Sequence, residues 1–121
     1  MRKLVILIKV PTDEAAFEAT WPDFLHSAES MPGLIREATS RVDRVFYGED
    51  AYTLIHELYF DSLPAIQQAL SSPEGRAAGK LLQSMTGGRV TLLIADHKED
   101  SLENIQKYRK QIHAESPPDT G

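Results

Sequence analysis

The chain has 121 residues, 41% hydrophobic and 26% charged, which are ordinary proportions for a single globular domain able to bury a core. Its 18 acidic and 13 basic residues give a formal charge of −5 with no basic run, so neither nucleic acid nor an anionic membrane is an expected partner. Cysteine is absent, which removes disulfides and thiolate chemistry and permits a reducing compartment.

The opening MRKLVILIKVP mimics a signal peptide, but Lys9 and Pro11 interrupt the apolar run and acidic TDEAAFE replaces a small-residue cleavage site. A strand of a cytoplasmic protein is expected instead, with Leu4 to Ile8 suited to cover on both faces. No stretch approaches the length of a membrane span. Thr12 reads as the cap of a first helix, in which Phe17, Trp21, Phe24, Ala28 and Met31 share a narrow sector that should meet the sheet. Pro22 predicts a kink or restart near Trp21, and Pro32 with Gly33 ends the helix. Leu34 to Phe46 reads as a long, charged edge strand needing a bulge, and Gly48, Glu49 and Asp50 as a hairpin turn.

From Ala51 to Gly75 the hydrophobic period changes in mid-run. Tyr52, Leu54, His56, Leu58 and Phe60 alternate with Thr53, Ile55, Glu57 and Tyr59, and both faces are largely apolar, as in a strand at the middle of a sheet. Beyond Asp61 and Ser62 the period becomes helical through Leu63, Ile66 and Leu70, and Ser72-Pro73-Glu74 starts another helix. Gly87 and Gly88 break the chain before a last strand, Val90 to Ala95. The order β-α-β-β-α-β is that of an α+β, ferredoxin-like, four-stranded antiparallel sheet. Its uncovered face would carry Val5, Leu7, Ile55 and Tyr59, which favours a homodimer packed sheet to sheet, a dimeric α+β barrel. The domain is expected over residues 1–97. Residues 98–121 form an extension with a helix capped by Ser101 and a thin stripe at Leu102, Ile105, Tyr108 and Ile112. That helix is either a surface element or an arm gripping the partner.

The run ELYFDSLPAIQQALSSPEG, from Glu57 to Gly75, resembles the strand-to-helix signature of the EthD family, named for ethyl tert-butyl ether degradation. The opening strand Lys3 to Val10, MPGL at Met31 to Leu34 and TGGRVTLLIA at Thr86 to Ala95 match in the same order. The resemblance implies the dimeric α+β barrel fold. It also implies the chemistry of that superfamily, which includes muconolactone isomerases, polyketide cyclases and cofactor-independent monooxygenases.

Walker, nucleophile-elbow, dinucleotide and His-Glu-x-x-His spacings are absent. The histidines at 26, 56, 97 and 113 have no short-range metal-ligand spacing, and no cofactor or metal is expected. His56 sits mid-strand, either as a proton carrier in the pocket layer or as a core histidine bonded to a backbone carbonyl. Glu57 must point the other way, paired with Arg36 or Arg41 across the barrel. Related chains carry a histidine eight residues before the proline of the Pro-Gly turn. Here Phe24 stands there, and His26 is the nearby second catalytic candidate, although an unbroken helix would turn it about 180° from the core stripe. Phe17, Trp21 and Phe24 are candidates for stacking on an aromatic ligand, or for core. Tyr47 and Tyr52, flanking the hairpin, would orient a ligand or pack across strands. The expected function is a homodimer binding a small apolar or aromatic molecule, with cofactor-independent isomerase, cyclase or monooxygenase chemistry. The rival is a non-catalytic binding or accessory protein.

Overall fold

The computed structural model describes residues 1–103 and residue 106. Its elements run β1 (Arg2–Lys9), α1 (Glu14–Glu29), β2 (Arg36–Arg41), β3 (Tyr52–Phe60), α2 (Leu63–Ser71), α3 (Pro73–Thr86) and β4 (Val90–Asp96). The four strands form one antiparallel sheet in the order β2-β3-β1-β4, with the most buried strands at its centre. This is the ferredoxin-like arrangement that the hydrophobic periods predict.

Local chemistry sets the helix ends. Asp13, not Thr12, caps α1, its carboxylate accepting from the Ala16 N–H at 3.1 Å. Ser62 and Ser72 cap α2 and α3 in the same way, each followed by a proline at the start of its helix. The elbow between those two helices is so tight that a Cβ on Gly75 would lie 2.0 Å from the Ala69 carbonyl oxygen. Only glycine fits there. Pro22 does not restart α1, which is helical without interruption from Glu14 to Glu29. That continuity keeps Phe17, Phe24 and Ala28 in phase, and all three are buried against the sheet.

Two expectations about the strands are corrected. The charged second strand is only six residues long, and residues 42–51 form a loop in place of a tight hairpin. The irregularity predicted for that strand lies instead between β1 and β3. Ile8 pairs with Leu54 but Lys9 pairs with Tyr52, so Thr53 is the extra residue, its hydroxyl 3.3 Å from the Ile8 carbonyl oxygen.

The core lies on the helix side of the sheet, where Leu4, Ile6, Ile8, Leu54, Leu58 and Phe60 meet Phe24, Ala28, Ile66 and Leu82. No helix of the described residues covers the other side, yet Val5 and Tyr59 are buried there. A polar network covers them. Lys3 pairs with Glu57, the Tyr59 hydroxyl donates to Glu57 at 3.2 Å, and the Arg36 guanidinium lies 4.1 Å above the Tyr59 ring. The chain beyond β4 completes the cover: His97 sets its ring edge-on to Tyr59, and Glu99 bonds Arg36 at 2.9 Å. Residues 97–99 therefore cross the sheet end toward β2. Glu57 thus takes Lys3, its diagonal neighbour across the β1–β3 pair, rather than either expected arginine. Leu102 and Glu103 are helical and exposed, whereas Ile105, Tyr108 and Ile112 of the predicted stripe lie outside the described residues. No helix among the described residues is long and apolar enough to cross a membrane.

Candidate functional site

Strand alternation decides which side chains of β2 face the helices. Glu37 is level with Leu58, Thr39 with His56 and Arg41 with Leu54, so all three sit on the helix side of this edge strand. His56 belongs to the adjacent central strand and is 0% exposed. Its Nδ1 is 2.8 Å from the Thr39 hydroxyl and its Nε2 is 3.1 Å from Glu37 Oε2. Both ring nitrogens are therefore partnered by side chains, and no backbone carbonyl is involved. Trp21 and Phe24 meet the imidazole edge-on, with ring centroids at 5.4 and 5.8 Å.

The electrostatics of this cluster are unusual. Burial among aromatic rings pushes the His56 pKa down to about 4, with the Glu29 and Glu57 carboxylates opposing the shift only in part. The ring is neutral at physiological pH. Glu37 moves the other way, up to about 7, through desolvation first and then through a hydrogen bond and like-charge repulsion with Glu29. Glu29 stands in the last turn of α1, exposed to water.

Beside the cluster opens a cleft of about 380 Å³ between the first turns of α1 and the ends of β2 and β3. Phe17, Trp21, Val10, Val42 and Leu54 give it apolar walls, and Arg41, Thr53, Glu14 and Glu18 supply polar groups. Its volume lies in the range of small-molecule pockets. Phe17 and Trp21 are stacked at 5.7 Å, and Trp21 also stacks on Phe24. Trp21 is therefore the partition: one part of its surface lines the cleft and another meets His56.

The residues singled out in the sequence separate accordingly. Phe17 and Trp21 line the cleft, while Phe24 lies in the core beneath Trp21. Tyr47 is 95% exposed on the β2–β3 loop and does not line the cleft. Tyr52 does not line it either, because the slip at Thr53 changes the phase of the strand. His26 is exposed in the last turn of α1, where an imidazole faces the negative end of the helix dipole. The structure does not bring it to His56, and the uninterrupted helix is the reason. Glu37, Thr39 and Glu29 were missed. The alternation of REATSR was the available signal for the first two. Among the described residues, no three His, Asp or Glu side chains are grouped to hold a metal ion.

A solved EthD family protein from Bacillus halodurans C-125 is 30% identical to this chain, spanning 81% of it and 99% of that protein, with a TM-score of 0.74. The chain belongs to the EthD family. SnoaB, a cofactor-independent oxygenase from Streptomyces nogalater, superposes on this EthD chain with a TM-score of 0.59 at 17% identity, spanning 84% of the chain and 95% of SnoaB. A dimeric ferredoxin-like protein from Jannaschia sp. CCS1 matches with a TM-score of 0.62 at 14% identity, over 80% of this chain and all of that one. Identities this low show a shared fold and nothing about activity. Neither a family model nor a curated protein matched the EthD chain.

Proposed function

We propose that this EthD protein is a homodimer that holds a small, mostly apolar or aromatic molecule in the cleft behind α1 and moves protons on it without a metal or flavin. The observation that carries the reading is His56: a neutral imidazole, sealed from water, hydrogen-bonded at both nitrogens and separated from the cleft by one indole ring. Acid–base work on an activated C–H or O–H needs a proton path in a dry site, and this ring, bonded to Thr39 on one side and Glu37 on the other, supplies it. SnoaB, described as a cofactor-independent oxygenase, is an instance of chemistry without a cofactor on this fold. Pairing of two open sheet faces is supported by Leu93, 41% exposed beside buried Val5, and by the neighbours described as dimeric.

A second reading, binding without turnover, is favoured by the cleft wall itself, which does not include His56. One experiment addresses both. Trp21 is the sole tryptophan, so its fluorescence reports on the cleft directly. Titration with 1,4-naphthoquinone is expected to quench it saturably, and Val10→Phe, which fills the cleft from an exposed wall position, is expected to weaken that binding at least ~10-fold, the scale of one well-placed hydrophobic contact. Quenching that never saturates, or that ignores Val10→Phe, removes the ligand site. Deuterium uptake from heavy water into a naphthol or β-dicarbonyl compound, abolished by His56→Gln, then separates turnover from binding.

A further inference from the structure

We propose that the working base of this site is not His56 alone but the carboxyl pair Glu37–Glu29, acting through His56 on the Thr39 hydroxyl, so that protons leave the buried site by a route separate from the cleft mouth. The role for a substrate rests on the cleft reading above; the relay itself does not.

Geometry carries the argument. Four groups from three elements lie in one chain: Thr39 Oγ1 to His56 Nδ1 at 2.8 Å, His56 Nε2 to Glu37 Oε2 at 3.1 Å, and Glu37 within hydrogen-bonding reach of Glu29. The middle of the chain is dry and its ends are wet, since His56 is 0% exposed whereas Thr39 and Glu29 are exposed residues. A buried imidazole with both nitrogens occupied cannot exchange its proton with water directly. It exchanges through its partners.

Proton counting fixes the polarity. Two carboxyl groups at hydrogen-bonding distance share one proton, because two bare carboxylates there repel each other. With that proton lying between Glu29 and Glu37, Glu37 Oε2 is left as an acceptor. It therefore takes the Nε2–H of His56, which makes Nδ1 the acceptor for the Thr39 hydroxyl. The charged groups around the cluster agree with this order. From α1 comes Glu29, from β2 Glu37, and from β3 Glu57, whose charge is held by Lys3 on the opposite face of the sheet. Among the described residues no lysine or arginine pairs with Glu29 or Glu37.

Once the pair has lost its shared proton, the base reaction balances in one concerted step. Thr39 is not part of the cleft wall but stands two residues before the cleft-lining Arg41 on the same face of β2. From a substrate that extends to it, Thr39 Oγ1 takes a proton of an acidic C–H or O–H and passes its own proton to His56 Nδ1, while the Nε2 proton moves to the Glu37 carboxylate. His56 ends neutral, with its tautomer exchanged. The negative charge moves from Glu37 to the substrate, and no imidazolium accumulates. Glu37 titrating at about 7 then acts as a base matched to neutral pH, which a histidine at about 4 is not.

The test is nitrogen NMR on the full chain labelled in its histidine rings, without any ligand. His56 is expected to remain neutral, protonated at Nε2, from about pH 5 to 9, and its Nε2 shift should follow a single titration near 7. Glu37→Gln should abolish that titration, and Glu29→Gln should move its midpoint toward the ordinary carboxylate range. Both replace an oxygen by nitrogen on groups that reach solvent, and thermal melting checks that each variant folds. A ring that titrates to imidazolium like a free histidine, a resting Nδ1–H tautomer, or a midpoint indifferent to Glu37→Gln overturns the relay. The quinone titration above is independent: loss of cleft binding with an intact His56 titration removes the substrate site and leaves the relay standing.

Discussion

The two faces of β3 handle polarity in opposite ways, although His56 and Glu57 are neighbours in sequence. On the helix side a single imidazole is surrounded by Leu54, Leu58, Phe24 and Trp21 and gives up its charge, its pKa falling because burial outweighs the nearby carboxylates. On the open side the Lys3 ammonium bonded to Glu57 holds that carboxyl below its usual range, and Glu57 in turn raises Lys3. Exposed partners around Tyr59 add to the network: a bond to Glu99 raises Arg36, and bonds from His97 and then Arg36 lower Glu99. On the part-exposed open side the counter-ion keeps the charge in place, whereas for the fully buried ring desolvation outweighs the carboxylates beside it. On the proposed function the helix side carries the proton transfer and the open side the contact with a second copy.

Four experiments break or sharpen that contrast. The largest effect is expected from Phe24→Ala, which opens a cavity beneath Trp21 and beside His56. It should lower the unfolding free energy by about 3–5 kcal/mol in a denaturant titration, whereas a loss below about 1 kcal/mol would mean the helix side is not the principal core. Next is Leu93→Asp on the open side, where the side chain is already part-exposed. Stability of the single chain should change little, but sedimentation at micromolar concentration should turn from dimer to monomer. A wild-type protein that sediments as a monomer sinks the sheet-to-sheet pairing.

A smaller effect concerns pH. Glu37, raised from 4.5 to about 7, stabilises the fold fully below 4.5 and loses that contribution as pH rises to 7. His56, lowered from 6.5 to about 4, contributes above 6.5 and loses that contribution as pH falls to 4. Between 4.5 and 6.5 the two slopes oppose each other. Glu37→Gln removes one of them, so calorimetry should show the melting temperature of the variant rising with pH across this window more steeply than that of the wild type. Parallel curves for the two proteins would contradict the coupled cluster. The smallest effect is expected for Tyr47→Ala, since this ring is 95% exposed. It should alter stability by no more than about 0.5 kcal/mol and leave quinone quenching of Trp21 unchanged.

Periodicity carried most of the architecture. The alternation through Tyr52–Phe60, the stripe Phe17, Phe24 and Ala28, and the helix starts at Ser62 and at Ser72-Pro73 were all legible because each depends on neighbours a few residues apart. His56 could be placed on the face of Leu54, Leu58 and Phe60 for the same reason. Its partners could not. Glu37 and Thr39 meet it across a strand pair, and Glu29 meets Glu37 between a helix and an edge strand. Lys3 was similarly invisible as the partner of Glu57, which is 54 residues away in the chain.

The amino-acid order by itself determined the element sequence, the apolar character of β1 and β3, and the opposite orientation of His56 and Glu57, since backbone geometry translates spacing directly into direction. Only the tertiary structure decided the register of the sheet. A slip of one residue at Thr53 took Tyr52 away from the cleft, and the pairing of Thr39 with His56 put a hydroxyl and a carboxyl on one buried ring. Register is a long-range quantity, set by how whole strands pack against the helices, and in this protein it selects which polar groups meet in the dry interior.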